Sequence, residues 1–132
     1  MVRAPHRVLV ADDDEDILFL WRNALLMPVG AYEVVTVCDG CDALEEIARM
    51  PFDLVVTDIR MPRMDGLELT KAIRQLGYKI PVLWITARIV VDMAEDAKRL
   101  GVYCCLYKPL RVAEMRRVVA DALAASQKEA TP

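Results

Sequence analysis

The sequence predicts an α/β fold: a three-layer sandwich with helices on both faces of a five-stranded parallel sheet. Three observations carry this. Five short apolar runs recur at near-even spacing along 132 residues. Segments of helical period fill the gaps between them. Several of the runs are apolar at every position, as strands buried on both faces are. Strict alternation of strand and helix then implies right-handed crossovers and helices on both sides of the sheet.

The first run, Val8 to Ala11 (VLVA), is a strand by its β-branched content. A helix from about Glu15 to Met27 follows, with Asp14 as its N-cap, Ile17, Trp21 and Leu25 on one stripe, and Pro28 and Gly30 as its stop. Val34 to Cys38 (VVTVC) is the second strand, and Leu44, Ile47 and Ala48 mark a short helix before Pro51. Leu54 to Thr57 (LVVT) is the third strand. Leu69, Ala72, Ile73 and Leu76 give a third helix that Gly77 ends. Val82 to Ile85 (VLWI) is the fourth strand, and Val90, Met93, Ala94 and Ala97 mark a helix before Gly101. Val102 to Tyr107 (VYCCLY) is the fifth strand. The last helix carries Met115, Val118, Val119 and Ala122 on one face, with Arg116, Arg117 and Asp121 between them. Residues 1–6 and Ala125 to Pro132 (ASQKEATP) read as tails around a single domain over 7–124.

Composition narrows the function. With 17 basic and 20 acidic side chains, a net charge of -3 and a pI near 5.2, the chain lacks the dense basic surface of a nucleic-acid backbone binder. No apolar run approaches the roughly 20 residues of a membrane span, and Met1 to Arg7 lacks a signal-peptide core. A cytoplasmic chain with no membrane partner is the expectation. Cys38, Cys41, Cys104 and Cys105 read as reduced thiols, because a core of this size needs no disulfide staples. Cys38-x-x-Cys41 is met elsewhere only by the vicinal Cys104 and Cys105 and one histidine, which is not the spacing of a tetrahedral zinc site. His6, the lone histidine, reads as a solvated tail residue.

Chemistry gathers at the strand ends. Ligands of open doubly wound sheets bind beyond the carboxyl ends of the strands. Asp12 and Asp13 follow the first strand, Asp58 the third, Thr86 the fourth, and Lys108 with Pro109 the fifth. If the first and third strands are neighbours about 4.8 Å apart, three carboxylates share one pocket. Like charges ~4 Å apart at an effective dielectric near 20 repel by roughly 4 kcal/mol, which calls for protons or a cation. An all-oxygen site with open positions suits Mg²⁺ or Mn²⁺. With the Lys108 ammonium and the Thr86 hydroxyl opposite, the set suits a phosphoryl group. An acidic run at a helix start is otherwise a solvated cap, which is the reading for Asp14, Glu15 and Asp16.

From about Arg7 to Leu123 the sequence resembles the receiver domain of two-component response regulators, the CheY-like domains. The acidic pair in VLVADDD, the DLVVTDIRMPRMDGLEL segment around Asp58, the ITA at Ile85 to Ala87 and the YKP at Tyr107 to Pro109 carry the resemblance. It implies a flavodoxin-like sheet of strand order 2-1-3-4-5. It implies that Asp58 is the phosphoacceptor, attacking the phosphohistidine of a sensor histidine kinase or phosphotransfer protein, or a small phosphodonor. Asp13 matches a direct metal ligand, Asp12 one acting mainly through water, and the Arg60 carbonyl a further ligand. Lys108 would pair with Asp58 and then with its phosphoryl oxygens, and Thr86 would move toward the group as the switch. A cis Lys108-Pro109 bond is implied as well. Met61, Pro62, Met64, Asp65 and Gly66 match the loop after the acceptor, with Gly66 permitting its turn.

The sequence departs from the family at Cys105, where an aromatic residue usually stands three positions before the lysine. Tyr103 and Tyr107, on the same strand face by period two, are candidate substitutes. Arg60 and Arg88 flank the site as bulky cations and are candidate modulators of acyl-phosphate lifetime. The apolar run Ile89, Val90 and Val91, with Tyr103, Tyr107 and Arg111, marks an output face over the fourth helix, fifth strand and fifth helix. A homodimer formed on phosphorylation is a further outcome the resemblance allows. The domain would catalyse only its own phosphorylation and slow hydrolysis. Two alternatives stay open: an aspartyl-phosphate phosphatase of the haloacid dehalogenase type using Asp12-x-Asp14, and a degenerate receiver serving as a scaffold.

Overall fold

The computed structural model describes residues 4–87 and 93–130, and the side chains among these up to residue 127. Ten elements alternate along the chain: β1 (His6–Ala11), α1 (Glu15–Ala24), β2 (Tyr32–Val37), α2 (Gly40–Arg49), β3 (Leu54–Asp58), α3 (Gly66–Gln75), β4 (Val82–Thr86), α4 (Met93–Arg99), β5 (Cys104–Tyr107) and α5 (Val112–Ala130). The five strands form one parallel sheet of order β2-β1-β3-β4-β5, the expected topology.

Alternation along the strands divides the core in two. Val8, Val10, Leu54, Val56, Leu83 and Ile85 face α1 and α5, meeting Trp21, Ala24, Met115 and Val119. Leu9, Val55, Val82 and Trp84 face the other way, meeting Ala43, Ile47, Leu69 and Ile73 of α2 and α3. Every residue of β3 and β4 is buried, which is why those runs show no polar alternation.

The helices begin where short acidic residues cap them. Asp14, Asp39 and Asp65 each accept a hydrogen bond from a backbone N–H of the first turn, and Asp65 forms a full capping box with Glu68. Several expectations shift at this level. The first helix ends at Ala24 with Leu25 as its cap, short of Met27. β5 begins at Cys104, leaving Val102 and Tyr103 outside the strand. The expected tail from Ala125 continues α5 to Ala130, in keeping with the helix-favouring Ala, Gln, Lys and Glu there. His6 opens β1, with its ring Nε2 3.1 Å from Gln127 Nε2 of α5. Arg88, Ile89, Val90 and Val91, singled out above, lie outside the described residues.

Arg74 was not singled out by sequence, yet it ties α3 to two loops. Its guanidinium donates to the carbonyl oxygens of Leu100 (2.8 Å), Ile80 (2.7 Å) and Tyr78 (3.1 Å). Burial pulls its pKa below the usual arginine value. The clamp joins the last turn of α3 to the loop before β4 and to the loop before β5.

Candidate functional site

The site is built at the carboxyl ends of β1, β3, β4 and β5. Register places Ala11 beside Thr57, so the residues that follow, Asp12 and Asp58, leave adjacent strands side by side. Carboxylate oxygens of Asp12, Asp13 and Asp58 all lie within 4.8 Å of one another. Asp12 is 2% exposed and Asp58 7%, whereas Asp13 is open to solvent. The pocket therefore has two walled carboxylates and one at its mouth.

Lys108 closes the far side. Its Nζ lies 2.8 Å from Asp12 Oδ2 and 3.2 Å from Asp58 Oδ2, bridging the two buried acids. Three carboxylates and one ammonium leave two negative charges, the charge a divalent cation matches. Burial pushes the Asp12 carboxyl above its ordinary range, and the charge of Asp58 adds to this against the pull of Lys108 and the Asp14 N–H. For Lys108, burial alone would depress the ammonium. Its hydrogen bonds and ion pairs with Asp12 and Asp58 outweigh burial and raise it. The hard oxygen donors of the three acids fit a divalent cation such as Mg²⁺.

The other residues named from the sequence are distributed less uniformly. Thr86 ends β4 at 3% exposure, and its carbonyl accepts from the Lys108 N–H at 2.8 Å. The Arg60 N–H makes one long contact to Asp58 Oδ1 at 3.4 Å, and the Arg60 side chain is exposed. The Lys108–Pro109 peptide is cis, as expected, and Met27–Pro28 is also cis. Asp14 points away from the pocket: its Oδ1 accepts from the Asp16 N–H at 2.9 Å. Tyr103 and Tyr107 stand 42% and 47% exposed, so neither ring fills the interior beside Cys105. All four cysteines are free, and burial raises Cys104 and Cys105, keeping them thiols.

Gly66 serves a different purpose from the one expected. The left-handed residue of the loop is Arg63, at φ 65°, and Gly66 has no positive φ. Instead its backbone lies against that of Asp58: a Cβ there would sit 2.2 Å from the Asp58 carbonyl oxygen and 2.9 Å from the Ile59 Cα. Arg63 Nη1 reaches Asp39 Oδ2 at 3.3 Å, and the Gly40 N–H donates to the Met64 carbonyl at 3.0 Å. These contacts lash the start of α2 to the loop between β3 and α3. No spacing in the sequence signals them, because they join residues from separate crossovers.

Comparison with known proteins agrees with this geometry. The family model described as the response regulator receiver domain matches residues 8–120. The transcriptional regulatory protein ZraR of Klebsiella oxytoca is 38% identical over 125 residues, covering 95% of this chain and 28% of that protein. The sensor histidine kinase RcsC of Salmonella typhi is 33% identical over 119 residues, covering 83% of this chain and 13% of that protein. The chain thus spans a minor part of the curated relatives it matches. Among solved structures, chemotaxis protein CheY4 of Vibrio cholerae superposes with a TM-score of 0.82 at 30% identity, covering 90% of this chain and 99% of that one. A CheY-like receiver domain protein from Methanospirillum hungatei shares the fold with a TM-score of 0.87, covering 95% of this chain and 98% of that one at 24% identity. With β1, β3, β4 and β5 delivering their polar residues to one pocket and the family model spanning most of the chain, this protein belongs to the response regulator receiver domains of two-component systems.

Proposed function

We propose that this receiver domain accepts a phosphoryl group on Asp58, from the phosphohistidine of a sensor histidine kinase or phosphotransfer protein or from a small phosphodonor, with Mg²⁺ or Mn²⁺ in the acidic pocket. The observation that carries the reading is the position of Asp58: a nearly buried carboxylate, bridged by Lys108 and within 4.8 Å of two further acids. Asp13, Asp12, Asp58 and the Arg60 carbonyl would hold the cation, which supplies charge neutralisation of the phosphoryl oxygens when bound.

Each residue then has a definite task. An Asp58 oxygen attacks phosphorus in line with the leaving imidazole. The new O–P bond forms as the N–P bond breaks, and the departing nitrogen takes a proton from solvent. Lys108, already paired with Asp58, transfers its contact to a phosphoryl oxygen and so offsets charge that develops during transfer. The Thr86 hydroxyl donates to another and couples the group to β4. The Arg60 side chain shields the acyl phosphate from water. Arg60→Ala then hydrolyses faster, and a hydrolysis rate unchanged within about twofold removes that role. Output passes through the face of α4, β5 and α5 to a partner protein or domain, by differential stabilisation of two conformations.

The phosphatase alternative needs both acids of Asp12-x-Asp14 in the pocket, and the capping role of Asp14 speaks against it. Intact-mass measurement after incubation with Mg²⁺ and phosphoramidate separates the readings. One added phosphoryl group on wild type and none on Asp58→Ala supports the acceptor role. Label retained by Asp58→Ala and lost in Asp12→Ala points to the phosphatase, and no label on wild type points to a scaffold.

A further inference from the structure

A line of buried polar groups runs from the middle of β4 to the backbone of the acceptor. Trp84 and Thr70 are both 0% exposed. The Trp84 indole Nε1 donates to Thr70 Oγ1 at 2.8 Å, and the same hydroxyl donates to the Gly66 carbonyl at 2.7 Å. The Gly66 N–H donates in turn to the Ile59 carbonyl at 2.8 Å, and the Gly66 Cα rests against the Asp58 carbonyl. Indole is a donor only, so it fixes the sense of the chain: the hydroxyl accepts from the ring and gives its proton to Gly66.

We infer that Thr70 and Trp84 are positioning residues for phosphoryl transfer at Asp58, holding the start of α3 against the acceptor's peptide and carrying its displacement to the centre of the sheet. The inference rests on Asp58 being the acceptor. Register explains the reach of the ring. Trp84 lies opposite Thr57, one residue before Asp58, and opposite Cys105 on its other side. Trp84 and Cys105 share one face of the core, so a large fixed ring stands on β4 beside a small thiol on β5. Thr86, two residues on from Trp84, lies on the same strand face by period two. The aromatic volume adjoining the site is therefore anchored to the acceptor loop instead of free to swing from β5.

Thr70→Val keeps the side-chain shape and deletes the hydroxyl, whereas Thr70→Ser keeps the hydroxyl. Transfer from acetyl phosphate at saturating Mg²⁺ is measured per folded molecule. Thr70→Val should slow it by about fivefold or more, and Thr70→Ser should stay within about twofold of wild type. A Thr70→Val protein that transfers at the wild-type rate, whatever its melting temperature, overturns the inference alone. A wild type that takes no phosphoryl group overturns the acceptor reading and this inference with it. A second measurement needs no variant at position 70: the indole N–H resonances, assigned with Trp21→Phe, are followed on adding Mg²⁺ and beryllofluoride. The Trp84 resonance should shift together with the Arg60 amide, and a stationary Trp84 resonance beside a shifted Arg60 amide contradicts the relay.

Discussion

At the scale of single residues, the acidic pocket holds more negative charge than the fold alone can use. Asp12 is the clearest case: at 2% exposure its carboxyl is raised by burial and by the charge of Asp58, despite Lys108. A carboxyl with a raised folded pKa binds more protons folded than unfolded, so its contribution to stability is full below the ordinary 3.8 and is lost as pH rises through the raised value. Asp12→Asn should therefore stabilise the cation-free protein at neutral pH by about 1 kcal/mol, roughly 3–4 °C in melting temperature. The gap should close as pH falls toward the ordinary aspartate range. Thermal melts across pH in the presence of a chelator check this, and a variant less stable than wild type at neutral pH contradicts it. Lys108 occupies Asp12 Oδ2 and Asp58 Oδ2, so a cation held by the same acids would compete with it for their charge. Lys108→Ala should accordingly tighten Mg²⁺ binding by about tenfold, a gain of roughly 1.4 kcal/mol, while slowing phosphoryl transfer. Weaker Mg²⁺ binding by calorimetry would mean that Lys108 organises the acids instead of competing for them.

At the scale of elements, the connection from β3 to α3 carries the site. The MPRMDG loop was legible as a family segment, but its geometry was not. Gly66 permits contact between the first residue of α3 and the Asp58 carbonyl, with only 2.2 Å available for a Cβ. The atoms it would meet are backbone of Asp58 and Ile59 and cannot yield as a flexible side chain would. Gly66→Ala should cost about 3 kcal/mol or more in denaturant unfolding and should displace Asp58, whereas Gly30→Ala meets no atom within 4 Å and strains only a φ of 78°. Equal losses at the two sites would sink the close-approach argument. The same limit on legibility applies to Thr70, which reads as an ordinary position of α3 until Trp84 is seen 2.8 Å away. Apolar runs revealed β3 and β4 because both are buried throughout. They misjudged α5, whose final turns hold through helix propensity with few apolar anchors and so lack the periodic signal.

At the scale of the whole molecule, the topology converts scattered residues into one site. Asp12, Asp58, Thr86 and Lys108 stand far apart in sequence, yet each directly ends or follows a strand, and a doubly wound parallel sheet brings such positions to one edge. That much was readable from spacing. The partition of roles was not: which acids are walled in, which oxygens Lys108 takes, and which loops brace Asp58 depend on packing between crossovers. The pocket's edge also ties β5 to β4, since Lys108 follows β5 directly and its N–H is bonded to the carbonyl of Thr86, the last residue of β4. The most direct test of the central claim is chemical localisation of the modified residue. Protein treated with acetyl phosphate and Mg²⁺ is reduced with borohydride, which converts an acyl phosphate to an alcohol, and its peptides are mapped by mass spectrometry. The account predicts homoserine at position 58, dependent on Mg²⁺ and on phosphodonor. Homoserine at another aspartate, or none in a folded protein, contradicts it.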